Sequence, residues 1–153
     1  MKKIATYVLI ISERFPNKMH NKVGQQTNFY QKILRNIKKH TIRGNYTLWR
    51  KRFKKIDEGE ACLSVRQWEG VPYRSKQIEL IVFHKTNGIG IEKLEDPRNL
   101  ILASIEGKEI AWGTVAENDG LDFTDFQEWF KNSPNKPMAI IHFTNFRYNQ
   151  NKI

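Results

Sequence analysis

Lys38, Thr41 and Arg43 stand at the spacing Lys-x-x-Thr-x-Arg, and these side-chain types could do chemistry together. A threonine hydroxyl becomes a nucleophile only when a neighbour takes its proton. A neutral lysine amine can take it, and the neighbouring cations Lys39 and Arg43, like burial, favour the neutral form. Geometry sets a condition. In a strand, residues i and i+2 share a face, so Thr41 and Arg43 point together while Lys38 points away. A bend before His40 would remove that conflict, and the end of a helix expected near Ile37 supplies one. Without further context, a basic loop running into a strand is the simpler account of the same residues.

The motif lies in an unusual charge field. From Arg14 to Ile56 the chain carries thirteen Lys and Arg residues and no Asp or Glu. The whole chain has 26 basic and 16 acidic residues, for a net charge of +10, so the remainder holds 13 basic residues against all 16 acids. The positive excess is local, which points to an anionic partner. His40 and Lys39 inside the motif become candidates to contact a nucleic acid.

The surrounding elements must position this segment. Tyr7 to Ile11 reads as a first strand. Thr27 or Asn28 caps a helix whose apolar stripe is Phe29, Ile33 and Leu34, continued by Ile37. Trp49, Phe53 and Ile56 recur at i, i+4, i+7, which predicts an amphipathic helix over 46–56. Its other face carries Arg50, Lys51, Arg52, Lys54 and Lys55, a group suited to phosphates. Ala61 to Trp68 and Ser75 to His84 form a β-hairpin across Glu69–Pro72. Trp68 and Tyr73 flank that turn and, with Arg66, Arg74 and Lys76, could stack on unpaired bases. The alternative is an aromatic pair that stabilises the hairpin.

Gly88-x-Gly90 reads as a loop, too weak for a nucleotide fingerprint. Leu100–Ile105 and Glu109–Trp112 form either a hairpin or a strand leading into a helix. Asp122-x-x-Asp125 opens a helix from Phe123 to Phe130, with Leu121 as a hydrophobic staple. Met138 to Phe146 is a last, central strand. The expected architecture is mixed α+β, mostly β, a small barrel with inserted helices. It is a single domain over 1–153, with a frayed tail from about 149.

Composition sets limits. With 39% hydrophobic and 12% aromatic residues in 153, the chain can bury a core. The single cysteine, Cys62, allows no internal disulfide and no Cys-x-x-Cys zinc pair. His20, His40, His84 and His142 are scattered, with no i, i+4 pair, so no metal and no cofactor is expected. The apolar run Ile4–Ile11 is short and lacks a small-residue cleavage site. No segment approaches the roughly 20 apolar residues that span a bilayer, so no membrane partner is expected and the cytoplasm is the default compartment.

The segment Lys38-x-x-Thr41-x-Arg43, just after a helix with Lys32-Ile33-Leu34, resembles the signature of the ASCH family of the PUA-like superfamily. Ala116-Glu117-Asn118-Asp119-Gly120, followed by Phe126, Trp129 and Phe130, resembles that family's Ala-x-x-acid-Gly segment and its next helix. The strand from Ile140 to Phe146 is similar to the family's last one. In order, the likeness spans about Tyr7 to Tyr148, and it is nearer the larger members found in bacteria and their phages. Two positions depart from the pattern. Asn36 stands where the family commonly has glycine, and Asp119 stands where its small enzymatic members have a glutamate.

The resemblance implies a PUA-like barrel with a cleft lined by the motif strand, and RNA or a modified nucleotide as ligand. Some small members are similar to amidohydrolases of N-acetylcytidine. By that likeness Thr41 would be the nucleophile, Lys38 its base, and Asp119 (or Glu117) the acid. Arg43 would hold the substrate or stabilise developing negative charge. The five cations of the second helix favour a polymeric ligand over a free nucleoside. Binding is therefore the first expectation and hydrolysis the second.

Overall fold

Segments of alternating apolar residues, separated by turn residues and short amphipathic runs, build a layered α+β structure. The computed structural model describes residues 3–95, 101–134 and 136–150. Its elements run β1 (Ala5–Ile10), α1 (Phe29–Leu34), β2 (His40–Arg43), α2 (Tyr46–Asp57), β3 (Ala61–Trp68) and β4 (Gln77–Phe83). There follow β5 (Gly90–Leu94), β6 (Leu102–Ile105), β7 (Lys108–Ala111), α3 (Trp112–Asn118), α4 (Phe123–Phe130) and β8 (Met138–His142). Among the described residues the fold is thus mixed α+β and mostly β, with its strands in two sheets.

The first sheet has the order β1-β3-β4, with β1 parallel to β3 and the hairpin β3–β4 antiparallel. The second has the order β2-β8-β5-β6-β7, antiparallel throughout. Both sheets contribute to one core, and two further contacts tie them together. Arg43 at the end of β2 donates from Nη2 to the Ile10 carbonyl at the end of β1, at 2.5 Å. Phe83 of β4 stacks on Phe143, just after β8, with ring centroids 5.6 Å apart. β8 is buried along its whole length, as befits an interior strand.

α2 follows its i, i+4, i+7 pattern: Trp49, Phe53 and Ile56 are buried, and the Asn45 side chain caps the helix by accepting from the Leu48 amide. Both readings of the 100–112 region are met, a β6–β7 hairpin and then a helix, although Leu100 lies outside the described residues. Asp122 caps α4 through the Asp125 amide at 2.8 Å, as its spacing predicts.

Four expectations are corrected. α1 ends at Leu34, because Asn36 adopts φ 58° and turns the chain, so Leu34 and Ile37 are 63% and 48% exposed rather than core. Gly88 and Ile89 lie outside any strand, but Gly90, read as part of the same loop, already opens β5. β8 stops at His142, short of Phe146. Asn149, placed in a frayed tail, is held by donating to Glu92 and to the Glu106 carbonyl, both at 3.0 Å; residues 151–153 lie outside the described residues.

Candidate functional site

The left-handed turn at Asn36 decides where Lys38 goes. Folding the chain back lets the Ile37 and Lys38 amides both donate to the Lys32 carbonyl, at 2.8 and 3.0 Å. Lys38 turns inward, with 2% of its surface exposed. Its ammonium donates to the Asp119 carbonyl at 2.6 Å and to Asp119 Oδ1 at 3.3 Å, and lies 4.2 Å from the centroid of the Phe29 ring. His40, two residues on, reaches the same Asp119 oxygen, at 3.2 Å, so Lys38 and His40 share a face while Thr41 and Arg43 take the other; the expected bend does not turn the lysine onto the threonine's face.

Asp119 arrives from the end of α3, where its amide is held by the Val115 and Ala116 carbonyls. Two backbone-directed bonds stitch this helix end to the motif. The Lys39 amide donates to the Asn118 carbonyl at 2.7 Å, and Lys32 Nζ donates to the Gly120 carbonyl at 2.8 Å. Segments about 80 residues apart in sequence thus meet in the core. Glu117, the alternative acid, points to solvent.

Burial pushes the Lys38 amine down to about 8, against the opposing pull of the Asp119 carboxylate. Arg43 and Lys32 add smaller downward pushes. The sequence named burial, Lys39 and Arg43 as causes, and burial and Arg43 act as expected. Lys39 instead sits over the Phe146 ring, at 5.2 Å, and burial is the main cause.

Thr41 and Arg43 share a face, as the strand period requires. Arg43 Nη1 donates to Thr41 Oγ1 at 2.7 Å, and Thr41 is 3% exposed. The same nitrogen donates to the Ile42 carbonyl at 3.0 Å, and Nη2 reaches Ile10. Arg43 thus positions the threonine and bridges the sheets.

His40 corrects an expectation. Its side chain is fully buried and offers no edge to a nucleic-acid base. Nδ1 lies 3.2 Å from Asp119 Oδ1, and Nε2 lies 2.6 Å from Tyr148 Oη. A neutral ring satisfies both, donating from Nδ1 to the carboxylate and accepting the tyrosine proton at Nε2. Asn118 Nδ2 then donates to Tyr148 Oη at 3.0 Å. Burial lowers the His40 pKa, which favours this neutral form.

Directly across the β2–β8 ladder from His40 stands His142. Its Nε2 lies 2.8 Å from Glu92 Oε1 on β5. Glu92 also accepts from the Tyr148 and Asn149 amides, at 2.7 and 3.0 Å. Burial pushes His142 down to about 4 despite that carboxylate. Burial acts to raise the Glu92 pKa, but its three hydrogen bonds outweigh it and leave the group below the usual range. Sequence reasoning missed Glu92, Asn118 and Tyr148. For Glu92 the available signal was the alternation of Glu92 with Leu94 on one face of a short strand, which the sequence reading left unassigned.

At the surface, residues 10–17 face residues 68–73 across a cleft of about 840 Å³. Trp68 and Tyr73 lie on its second wall, with ring centroids 5.2 Å apart and planes tilted by 49°. Tyr73 is 89% exposed and adopts φ 65°, a left-handed conformation that costs a tyrosine energy. The turn carrying it is braced by Ser75, whose Oγ accepts from the Gly70 amide and donates to the Val71 carbonyl. Lys38, Thr41 and Asp119 do not line this cleft; Ile10, which takes the Arg43 bond, does.

Of the basic face of α2, Arg50, Lys51 and Lys54 are exposed. Lys55 pairs with Glu60 at 3.2 Å, and Arg52 lies over the Trp49 ring at 4.7 Å. Among the described residues no cluster of His, Cys, Asp and Glu could hold a metal ion, and no helix is long and apolar enough to cross a membrane. Cys62 is buried and carries a free thiol. No protein-family model, curated protein or solved structure matches the chain.

Proposed function

We propose that the protein binds single-stranded nucleic acid, RNA first, or a modified nucleotide. The base would sit in the cleft beside Trp68 and Tyr73, and the phosphates would lie on the basic face of α2. The observation that carries this reading is Tyr73. A largely exposed aromatic ring, held in a left-handed conformation against a second ring at a cleft, gains little for folding and much for stacking. Arg50, Lys51 and Lys54 supply an electrostatic surface of the matching sign.

Within this reading we assign the chain to the ASCH type and its two sheets to a PUA-like barrel. Arg43 reaching Ile10 across the sheet edges supports such a closure. Asn36 takes φ 58°, a glycine-favouring conformation, at the position where that family commonly has glycine. The test is tryptophan fluorescence during titration with short single-stranded RNA at two salt concentrations. Binding should weaken by about 0.7 log units per contacted phosphate for each decade of salt. No binding at low salt would exclude the reading.

A second reading, hydrolysis of N-acetylcytidine or a related acylated nucleoside, has one observation in its favour. A lysine held down to about 8 is paired with Asp119, and the threonine three residues on is anchored by Arg43, whose charge acts on that lysine. Lys38 would take the Thr41 proton as Thr41 attacks the acyl carbon. The C–N bond would break with a proton delivered to the departing cytidine amine through Asp119 as the acid, and water would then hydrolyse the acyl-threonine ester to free the carboxylic acid and Thr41. The burial of Thr41 requires the site to open for substrate. Release of cytidine by the native protein and none by Thr41→Ala would establish it.

A further inference from the structure

We infer that the cleft between residues 10–17 and 68–73 selects guanine over other bases; this rests on the proposed nucleic-acid reading of the same cleft. The observation is the placement of acids. Glu13 lines one wall and Glu69 the other, in a protein whose charge is strongly positive; Arg14 lies on the first wall too, with Nη1 donating to the Gly24 carbonyl at 2.9 Å. A carboxylate repels phosphate, so these two groups oppose a backbone in the cleft and suit a base edge. Trp68 and Tyr73 stack on any base and confer no choice among them. The choice falls to the carboxylates.

Base-edge chemistry singles out guanine. Its N1–H and N2–H₂ donors are adjacent and parallel, and they match the two oxygens of one carboxylate. These are charge-assisted bonds, the stronger kind. Uracil offers one N–H between two carbonyl oxygens, each repelled by a carboxylate. Cytosine and adenine offer an amino group beside a ring nitrogen whose lone pair faces the second carboxylate oxygen. A site built on a carboxylate therefore penalises these three.

Both acids stand on braced backbone, which such discrimination needs. Thr27 Oγ1 donates to the Ser12 and Glu13 carbonyls at 2.7 and 3.2 Å, and the Thr27 amide donates to the Glu13 carbonyl at 2.9 Å. The Glu69 amide donates to the Lys76 carbonyl at 2.8 Å, at the end of the β3–β4 ladder.

The experiment is a fluorescence titration, at fixed low salt, with short oligouridylates carrying one central guanosine, inosine, adenosine or cytidine. Guanosine should bind about 10- to 100-fold tighter than the all-uridine strand. Inosine keeps N1–H and lacks the N2 amine, so it should fall between them. The Glu13→Gln, Glu69→Gln double variant should abolish the guanosine preference and bind oligouridylate more tightly, because the charges that repel uracil's carbonyls are gone. Equal affinity for all strands would overturn guanine selection while keeping the nucleic-acid reading. A preference that survives in the double Gln variant would also overturn it. No binding by any strand would remove both, and quenching by choline alone would reassign the aromatic and acidic cleft to an organic cation.

Discussion

The α-carbon of Gly120 faces the stem of Lys38 so closely that a β-carbon there would lie 3.0 Å from Lys38 Cβ and 3.2 Å from Cγ. Gly120 also has φ +81°, a conformation that L side chains rarely adopt. The neighbour it would strike is the inner part of the lysine stem, whose ammonium is fixed by Asp119. Gly120→Ala should therefore destabilise the fold by about 2–4 kcal/mol, adding backbone strain to overpacking. Urea unfolding measures this, and a loss under 0.5 kcal/mol would mean the helix end moves away freely.

Removing the Asp119 side chain should be costlier than removing both ends of its bond. Asp119→Ala leaves the Lys38 ammonium buried with a backbone carbonyl as its remaining polar partner, at a cost of about 3–5 kcal/mol. Lys38→Met in the same background removes the stranded charge and should recover part of that loss. A double-mutant cycle on unfolding free energies gives the coupling, and strictly additive single effects would refute the pairing.

These two residues and their neighbours show what local sequence could and could not reveal. The stripe Trp49, Phe53, Ile56 predicts α2 because it is a local period that tertiary structure leaves intact, and the turn Glu69–Pro72 between two strand-forming runs predicts the β3–β4 hairpin. The stripe Phe29, Ile33, Leu34, Ile37 failed because one left-handed asparagine reverses the chain before its last member. β5 was hidden by glycine. A β-carbon at Gly90 would collide with the Arg147 guanidinium, so this glycine makes room for a distant side chain rather than marking a loop. The spacing of Lys38, Thr41 and Arg43 was visible, and so was the alternation that points Lys38 away from the other two. The links from His40 to Asp119 and Tyr148 join residues 79 and 108 positions apart and left no local trace.

Acid should unfold the protein through its buried histidines. The folded pKa of His142, about 4, lies below the ordinary 6.5. Between these values the unfolded chain binds more protons than the folded one, so stability is full above 6.5 and falls as the pH drops toward 4. His40 acts in the same direction. For His142 alone the loss is on the order of 3 kcal/mol. Melting temperatures between pH 7 and pH 4 should drop steeply for the native protein and less for His142→Gln, whose amide can still donate to Glu92. Identical slopes in the two proteins would assign acid sensitivity elsewhere.

Stacking and phosphate binding should separate by their response to salt. Tyr73 is almost wholly exposed, so Tyr73→Ala should leave unfolding unchanged. It should weaken RNA binding by about 1–3 kcal/mol at every salt concentration, because stacking releases no counterions. Arg50, Lys51 and Lys54 should behave oppositely. Replacing all three with Gln should flatten the dependence of log affinity on log salt by up to about 2, roughly 0.7 for each phosphate no longer neutralised. Arg52→Gln should instead reduce stability, since its guanidinium packs over the rings of Tyr7 and Trp49. Affinity measured over a salt series for the native protein and these three variants decides the matter. A salt slope that the triple variant leaves unchanged would remove α2 from the interface, while weakening confined to Tyr73→Ala would leave the cleft as the binding site without a basic track leading to it.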